Sequence, residues 1–336
     1  MGSGHARRVV SVALPLVHPR CTSVPRPAGT VDPADLPVLP SNGHWPAWPG
    51  RDVTSGGVTL HVRETPGNDG AEAVYVHGLS GSATNWTDLA GLLAPRAAGV
   101  AVDLPGFGYS EPLPSRDYTP SGHADALLSW LAGRGRPVHL LGNSLGGMVA
   151  TMVAARRPEL VRTLTLVSPA FPDRRPDPRR MSDPRMALAM IPGIGKKARA
   201  QLAAASPRVR AEQVMALCFG DPGRATDARL DETAAEIAAR GRQPWAAEAV
   251  SRSAKGMFAS WAGRGLWATA ARVPVPTLVV WGDRDRLISP RLAVRAARTF
   301  PDGRLLMLAG VGHIAQIEVP DRVAACVAAL WDECPS

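Results

Sequence analysis

The stretch VHLLGNSLGGMVATMVAAR, residues 138–156, decides the fold because its periodicity changes at one serine. The residues before Gly142 form a short apolar run typical of a buried strand, and those after Ser144 follow the helical period. Between them, Gly142-Asn-Ser144-Leu-Gly146 matches the pattern G-x-S-x-G. So tight a turn leaves no room for side chains two positions before and two positions after the serine. The stretch therefore predicts a nucleophile elbow that holds the Ser144 hydroxyl up at the carboxyl edge of a sheet.

The composition is that of a globular protein. The 336 residues are 45% hydrophobic and 20% charged, which excludes wholesale disorder. No apolar run approaches the ~20 residues that a membrane span needs. The net charge of +9 is concentrated in residues 1–40 and 171–213, and all but three of the 38 basic residues are arginine. We interpret this excess as a solvated basic face, and we expect a small-molecule substrate and no nucleic-acid partner.

The cysteines indicate neither a disulfide framework nor a metal site. Four cysteines in a chain of this length, with no C-x-x-C pair, favour reduced thiols and a cytoplasmic location. Arg7-Arg8 and the apolar residues after them are similar to a signal peptide, but Pro15 interrupts the run and no clean cleavage site follows, which makes secretion less favoured. No metal, nucleotide or flavin motif is visible, so we expect no cofactor. The four cysteines are Cys21, Cys218, Cys326 and Cys334.

Strands and helices alternate along much of the chain. Residues 57–64 alternate apolar and polar side chains, as in a half-buried antiparallel strand. Short apolar runs typical of buried parallel strands follow at residues 73–76, 100–102, 138–141, 164–167, 277–281 and 305–308. Helical patterns lie between several of them, at residues 86–93, 121–131, 145–156 and 292–299. This alternation predicts an α/β fold with a mostly parallel central sheet flanked by helices.

The alternation stops in the second half of the chain. Residues 171–271 contain no convincing strand, and helices are predicted at residues 184–190, 196–204, 207–217, 228–239 and 246–261. We therefore divide the chain into an α/β core, residues 51–170 and 272–336, and a helical insert, residues 171–271. Residues 1–50 hold Pro-rich segments, and no core pattern starts before Val53. We expect them to form a disordered extension that contributes little to stability.

A serine nucleophile needs a base and a carboxylate that orients the base. His313 lies in a loop after the last apolar run, at the sheet edge that is predicted to hold Ser144. Asp283 and Asp285 both follow the run at residues 277–281 and reach the same edge. From the residues alone, either aspartate could orient His313, while the other pairs with a neighbouring arginine.

Two backbone N–H groups are candidates for stabilising an oxyanion. The N–H of Leu145 stands at the start of the helix that follows the elbow. The N–H of Leu79 stands in the loop after the first parallel strand, where Gly78 lets the backbone turn. In this reading His77, which precedes Gly78, is a structural residue of the loop and not the base.

Five motifs in a fixed order make residues 53–334 resemble the α/β-hydrolase superfamily, in its branch with a helical cap. The resemblance implies an α/β-hydrolase fold, a cap inserted after the sixth strand, and Ser144, Asp285 and His313 as catalytic residues. The family's acid lies three residues past the glycine of its motif, which selects Asp285 over Asp283, although Pro290 follows one residue later than is usual. The motifs are His77-Gly78, Asp103-Leu-Pro-Gly106-Phe-Gly108-Tyr-Ser110, Gly142-Asn-Ser144-Leu-Gly146-Gly147, Gly282-Asp-Arg-Asp285 and Gly310-Val-Gly-His313.

The resemblance also restricts the chemistry. Ser144 stands where haloalkane dehalogenases and epoxide hydrolases carry aspartate, and Leu145 stands where prolyl aminopeptidases typically carry tryptophan. We therefore expect a carboxylesterase-type serine hydrolase that acts on a small, largely apolar ester, because the insert is rich in Met and Trp. Those side chains could equally form the insert's own core. The alternatives are hydrolysis of a carbon–carbon bond in ring-cleavage (vinylogous diketone) products, whose hydrolases share Gly-Asn-Ser-x-Gly-Gly, and a ligand-binding member of the fold without activity.

Overall fold

A computed structural model describes residues 26–173, 205–261, 263 and 265–334. In this part of the chain one nine-stranded sheet is formed by β1 (Arg26–Pro27), β2 (Gly50–Ser55), β3 (Val58–Thr65), β4 (Glu72–Val76), β5 (Ala98–Val102), β6 (Val138–Asn143), β7 (Val161–Val167), β8 (Thr277–Gly282) and β9 (Gly303–Leu308). The strands lie in the order β1-β9-β8-β7-β6-β4-β5-β3-β2. The pairs β2–β3 and β3–β5 are antiparallel, and the other neighbours are parallel. The predicted α/β class with a mostly parallel sheet is confirmed.

Helices cover both faces of the sheet. They are α1 (Thr87–Leu93), α2 (Pro120–Ala132), α3 (Leu145–Arg156), α4 (Pro207–Cys218), α5 (Asp227–Gly241), α6 (Ala246–Trp261), α7 (Gly265–Ala270), α8 (Leu292–Thr299), α9 (Ala315–Glu318) and α10 (Pro320–Glu333). Local capping fixes where two of them begin. The Thr119 side chain accepts a hydrogen bond from the N–H of Gly122 in α2, and Ser206 accepts one from Val209 in α4. A proline follows each cap, in the first turn, where a helix needs no N–H from it.

The sheet separates two apolar cores. Side chains of α2, α3, α7 and α8 pack on one face, and those of α1 and α10 pack on the other. Strands β4, β6 and β8 are buried along their whole length, as their apolar runs predicted. Strand β9 is only partly buried, and the Met307 side chain is exposed. The reason is that β9 lies near the end of the sheet, where its outer neighbour β1 has two residues.

Strand β2 was not predicted from the sequence. Its side chains are all exposed or half-buried, so it has no apolar run that a pattern search could find. It pairs with β3 through the backbone, from Gly50 opposite Arg63 to Ser55 opposite Val58. The sheet therefore has one more antiparallel edge strand than the apolar pattern predicts.

The helical insert begins after β7, and the sheet resumes at β8. Strand β7 is the sixth strand when the two-residue β1 is left out, which agrees with the predicted place of insertion. The described residues between β7 and β8 form α4–α7 and no strand, and the helices predicted at 184–190 and 196–204 lie outside the described residues. The Trp267 ring of α7 stacks on Phe171 with 4.4 Å between ring centroids. The end of the insert therefore packs directly on the sheet's core.

Residues 26–50 do not form the disordered extension that the sequence predicts. Leu36 is buried in the core beside α1 and α10, and Trp45 packs so closely on α1 that a Cβ at Gly91 would lie 2.9 Å from its Cε3. The sequence pattern missed this segment because it packs through single side chains spaced by prolines, which have no period. Residues 1–25 lie outside the described part of the chain.

A buried charged cluster joins this segment to the insert. His44 is 4% exposed, and its Nδ1 lies 3.0 Å from Oδ1 of Asp88 at the start of α1. Asp88 also accepts a hydrogen bond from the Trp45 N–H at 2.9 Å and forms an ion pair with Arg229 of α5. Burial lowers the pKa of His44, but its hydrogen bonds to Asp88 and Glu232 outweigh that effect and leave the pKa raised. Residues 26–50 are thus held by charge pairing as well as by apolar contacts.

Removal of residues 1–45 is expected to destabilise the protein. The deletion exposes the surface that Leu36 covers and takes two partners from the buried Asp88 carboxylate, which together cost about 3 kcal/mol or more. At this chain length we expect the melting temperature to fall by roughly 5–10 °C. Circular dichroism melts of this deletion and of a deletion of residues 1–25 separate the effect of residues 26–45, and equal melting temperatures would contradict the prediction.

Candidate active site

Ser144 lies in a strained turn between β6 and α3. Its backbone has φ 53° and ψ −115°, outside the regions that a residue with a side chain prefers. A side chain at Gly142 would collide with the carbonyl group of Gly146, and one at Gly146 would collide with the carbonyl group of Val76. The Ser144 N–H donates to the Val167 carbonyl at 3.0 Å, which ties the turn to the end of β7. Strand, tight turn and helix thus follow one another here in the order that the predicted elbow requires.

His313 is hydrogen-bonded to Asp285. Nδ1 of His313 lies 2.8 Å from Oδ2 of Asp285, and both residues are buried, at 4% and 3% exposure. The other carboxylate oxygen, Oδ1, accepts hydrogen bonds from the N–H groups of Leu287 at 2.8 Å and Ile288 at 2.9 Å. These bonds fix the carboxylate, so Nδ1–H of His313 donates to it and Nε2 remains the nitrogen that can accept a proton.

Asp283 faces a different group. It is exposed, and its Oδ1 accepts a hydrogen bond from the N–H of Gly310 at 2.7 Å. From the sequence, the aspartate that does not face His313 is expected to pair with a neighbouring arginine. The structure shows a backbone partner, because the loop after β8 runs beside the loop after β9. Asp283 therefore links the two loops from the solvent side.

Asn143 connects the elbow to the histidine loop. Its side-chain Nδ2 donates to the carbonyl of Val167 at 3.0 Å and to the carbonyl of His313 at 3.2 Å. The residue directly before Ser144 thus binds the backbone of the residue that carries the imidazole. In the sequence Asn143 is visible only as part of the family motif, and this role is hidden because its partner lies 170 residues away.

The loop after β4 lies against Ser144. A Cβ at Gly78 would be 2.9 Å from Oδ1 of Asn143 and 3.2 Å from Cβ of Ser144, so only glycine permits this approach. Leu79 follows and is half-buried. Leu145 is the first residue of α3, where the N–H has no acceptor within the helix and carries the positive end of the helix dipole. Both predicted oxyanion donors therefore belong to backbone that adjoins the serine.

His77 has its ring nitrogens engaged by the backbone. Nε2 accepts the N–H of Leu104 at 3.0 Å, so Nδ1 carries the proton and donates to the Gly78 carbonyl at 2.7 Å. Complete burial is the main cause that lowers the pKa of this imidazole. These contacts fit the structural role that the sequence predicted for His77.

The described part of the chain holds neither a metal-ligand cluster nor a membrane-spanning helix. No group of three or more His, Cys, Asp and Glu side chains within it could hold a metal ion. A helix with the length and hydrophobicity of a membrane span does not occur there either.

The chain belongs to the α/β-hydrolase fold family, whose family model matches residues 74–320. A pimeloyl-[acyl-carrier protein] methyl ester esterase of Aeromonas hydrophila is 29% identical over 270 residues, which are 75% of this chain and 92% of the relative. A dihydrolipoyllysine-residue acetyltransferase component of the acetoin cleaving system, from Cupriavidus necator, is 28% identical over 77% of this chain. The chain spans 63% of that relative's length.

Solved structures share the fold at low sequence identity. The 2-hydroxy-6-oxo-6-phenylhexa-2,4-dienoate hydrolase from Rhodococcus sp. strain RHA1 superposes with a TM-score of 0.67 at 20% identity, over 84% of this chain and 99% of that chain. The chain thus has the α/β-hydrolase fold, with an esterase among its relatives in sequence and a carbon–carbon hydrolase among the structures that share the fold.

Proposed function

We propose that the protein is a carboxylesterase-type serine hydrolase in which Ser144 is the nucleophile, His313 the general base and Asp285 the orienting acid. The observation that carries this proposal is the 2.8 Å hydrogen bond between His313 and Asp285, in a loop that Asn143 ties to the elbow serine. A triad is recognised by geometry and by the role of each group. Nε2 of His313 is left to take the serine proton.

The reaction has two halves. His313 removes the proton of Ser144 as its oxygen attacks the ester carbonyl, and the N–H groups of Leu79 and Leu145 stabilise the oxyanion. The intermediate expels the alcohol, which receives the proton from His313, and the acyl group stays on Ser144. Water then gives a proton to His313 and attacks the acyl-enzyme, which releases the carboxylic acid and restores Ser144. No cofactor takes part.

An ester with a small, largely apolar group is the substrate class that we infer. The relative named as a methyl ester esterase supports the ester bond. Several Met and Trp side chains of the insert, including Met257 and Trp267, are buried in packing. Trp261 is half-buried and donates to the Ala170 carbonyl at 2.9 Å, while the Ala170 N–H donates to the Ser144 carbonyl at 3.0 Å. Its indole therefore lies close enough to the elbow to contribute apolar surface there.

We also propose that residues 171–271 form a cap over a core of residues 51–170 and 272–336. Two contacts with loops at the carboxyl edge support this division. Glu236 of α5 accepts a hydrogen bond from Ser82 at 2.8 Å, and the side chain of Gln243 donates to the Gly108 carbonyl at 2.5 Å. The insert thus reaches the edge of the sheet that carries Ser144.

A cytoplasmic location is supported by the thiols. Cys218, Cys326 and Cys334 are free, and burial is the main cause that raises the pKa of Cys218 to about 12 and that of Cys326 to about 11. Such thiols stay protonated and inert at neutral pH. Cell fractionation tests the location, and recovery of the protein outside the cell would contradict it.

Hydrolysis of a carbon–carbon bond is the second candidate function. It is favoured by the segment Gly142-Asn-Ser144-Leu-Gly146-Gly147, which resembles that of ring-cleavage product hydrolases. In that reaction the same residues would also deliver a proton to carbon. The third reading is a ligand-binding protein that keeps the three residues but does not turn over.

Rapid-mixing kinetics separate these functions. With a chromogenic ester we expect a burst of alcohol stoichiometric with enzyme, and labelling of Ser144 by a fluorophosphonate. A panel of esters of increasing acyl length and of vinylogous diketones then compares kcat/KM. Turnover of diketones alone would favour the carbon–carbon hydrolase, and the absence of both burst and label would favour the binding protein.

A further inference from the structure

Helix α5 of the insert contacts the loop that carries Leu79. Oε1 of Glu236 accepts hydrogen bonds from the hydroxyl of Ser82, at 2.8 Å, and from the hydroxyl of Thr84. The guanidinium of Arg240 donates to the carbonyl of Ser80. Glu236 and Arg240 are four residues apart, so they lie on the same face of the helix. One helix face thus binds the loop at three points.

The loop needs such support because its backbone is not relaxed. Ser80 has φ 63°, a left-handed conformation that residues with a side chain rarely adopt. The conformation persists only where the surroundings hold it. From the core side the loop is held by a turn, Gly81 N–H to Gly78 carbonyl at 3.0 Å, and by Asp103, which accepts the N–H of Ala83 at 2.6 Å. The contact of Arg240 acts directly at the strained residue next to Leu79.

Burial shifts the pKa values of both helix residues. Burial is the main cause that raises the pKa of Glu236 and lowers the pKa of Arg240. The charge of Glu236 opposes the second effect and favours the charged guanidinium of Arg240. Both side chains hold the loop through hydrogen bonds, Glu236 as an acceptor for two hydroxyls and Arg240 as a donor to the Ser80 carbonyl.

We propose that Glu236 and Arg240 are positioning residues that set the Leu79 N–H for oxyanion binding. This inference rests on the proposed function of Leu79. Neither side chain touches the substrate in this role. They act through the loop, so that the insert completes the oxyanion site as well as covering it. Displacement of such a donor by about 1 Å is enough to cost about 10²-fold in turnover.

The helix itself has a separate attachment. Arg229, near its other end, forms the buried ion pair with Asp88 and a second pair with Glu232. A substitution at Glu236 or Arg240 leaves these contacts in place, so α5 stays docked while the loop is released. The positioning role can therefore be tested apart from the attachment of the insert.

The test compares an ester with the matching thionoester, whose carbonyl oxygen is replaced by sulfur. Sulfur is a weak hydrogen-bond acceptor, so the thionoester depends less on N–H donors. For Glu236→Ala and Arg240→Ala we expect kcat on the ester to fall about 10- to 100-fold, with KM changed less than about threefold. On the thionoester we expect a loss below about threefold. Glu236→Gln keeps an acceptor oxygen and should stay within about threefold of wild type on both substrates.

Matched controls lie on or beside the same helix. Asp231 is exposed and pairs with Arg208, and Arg242 is exposed just past the end of α5. Asp231→Ala and Arg242→Ala should keep the ester-to-thionoester ratio of wild type. If Glu236→Ala does not fold, Ser82→Ala removes one of the same hydrogen bonds from the loop side, and we expect the same change of ratio in smaller degree.

The outcomes separate the positioning role of Glu236 and Arg240 from the serine hydrolase mechanism itself. Equal losses on ester and thionoester, or a change in KM alone, would overturn the positioning role while leaving the serine hydrolase intact. Ser144→Ala is measured alongside, and if it hydrolyses the ester at the wild-type rate then both the proposed function and this inference fail.

Discussion

Ser144→Ala is expected to abolish ester hydrolysis, with kcat lower by roughly 10⁵- to 10⁶-fold. The substitution removes the atom that attacks the carbonyl, and no acyl-enzyme can form. The fold should persist, because the hydrogen bonds that hold this residue in the turn are made by its backbone. Its N–H binds the Val167 carbonyl, and its own carbonyl accepts the N–H groups of Met148 and Ala170. The melting temperature should therefore stay within about 3 °C of wild type.

Ser168 is a matched control for this substitution. It lies directly after β7, is buried and has φ 44°, so it shares the left-handed backbone of Ser144 without its place in the elbow. Ser168→Ala should keep hydrolysis within about threefold of wild type, because the buried Ser168 hydroxyl makes no hydrogen bond within the described residues and takes no part in the proposed reaction. Turnover and circular dichroism of both variants make the comparison. Activity of Ser144→Ala within tenfold of wild type, a bound of about 1.4 kcal/mol, would exclude Ser144 as the nucleophile.

The elbow could be predicted because its determinants are local. Gly142, Ser144 and Gly146 lie within five positions, and the apolar run before them and the helical period after them are visible in the same window. The position of His313 at the same edge follows from topology alone, since parallel strands bring their carboxyl ends together. The choice between Asp283 and Asp285 is different. It depends on which way the loop after β8 turns, and the sequence does not show that direction. In the structure, the N–H groups of Leu287 and Ile288 hold the Asp285 carboxylate and so fix which aspartate faces His313.

The contacts made by α5 could not be predicted from the pattern. Arg229, Glu232 and Glu236 are charged residues on a helix, and in a sequence such residues indicate a solvated face. Their partners, Asp88 and Ser82, lie about 140 to 150 residues earlier in the chain. A periodic pattern tells which face of a helix is apolar, but it does not tell what a polar face meets. For the same reason, the sequence pattern predicts a disordered extension at His44.

Asp285→Asn is expected to lower kcat by about 10³- to 10⁴-fold with little change in KM. The reason lies in the hydrogen bonds of the carboxylate. Oδ1 accepts the N–H groups of Leu287 and Ile288, so the amide oxygen of asparagine takes that place and its NH₂ group turns toward His313. Nδ1 of His313 then has to accept a hydrogen bond, and its proton moves to Nε2. An imidazole in that tautomer cannot take the proton of Ser144, and the neutral amide does not stabilise the imidazolium.

Asp283→Asn is the control with the same chemistry two residues away. Asparagine keeps an oxygen that can accept the Gly310 N–H, and the site is exposed, so the loss should be below about 1 kcal/mol in stability and below about threefold in turnover. Both variants are assayed on one ester, with folding followed by circular dichroism. If Asp283→Asn were inactive while Asp285→Asn kept its turnover, the loop between β8 and Pro290 would have to turn the other aspartate toward His313. The hydrogen bond of 2.8 Å between His313 and Asp285 argues for the opposite result.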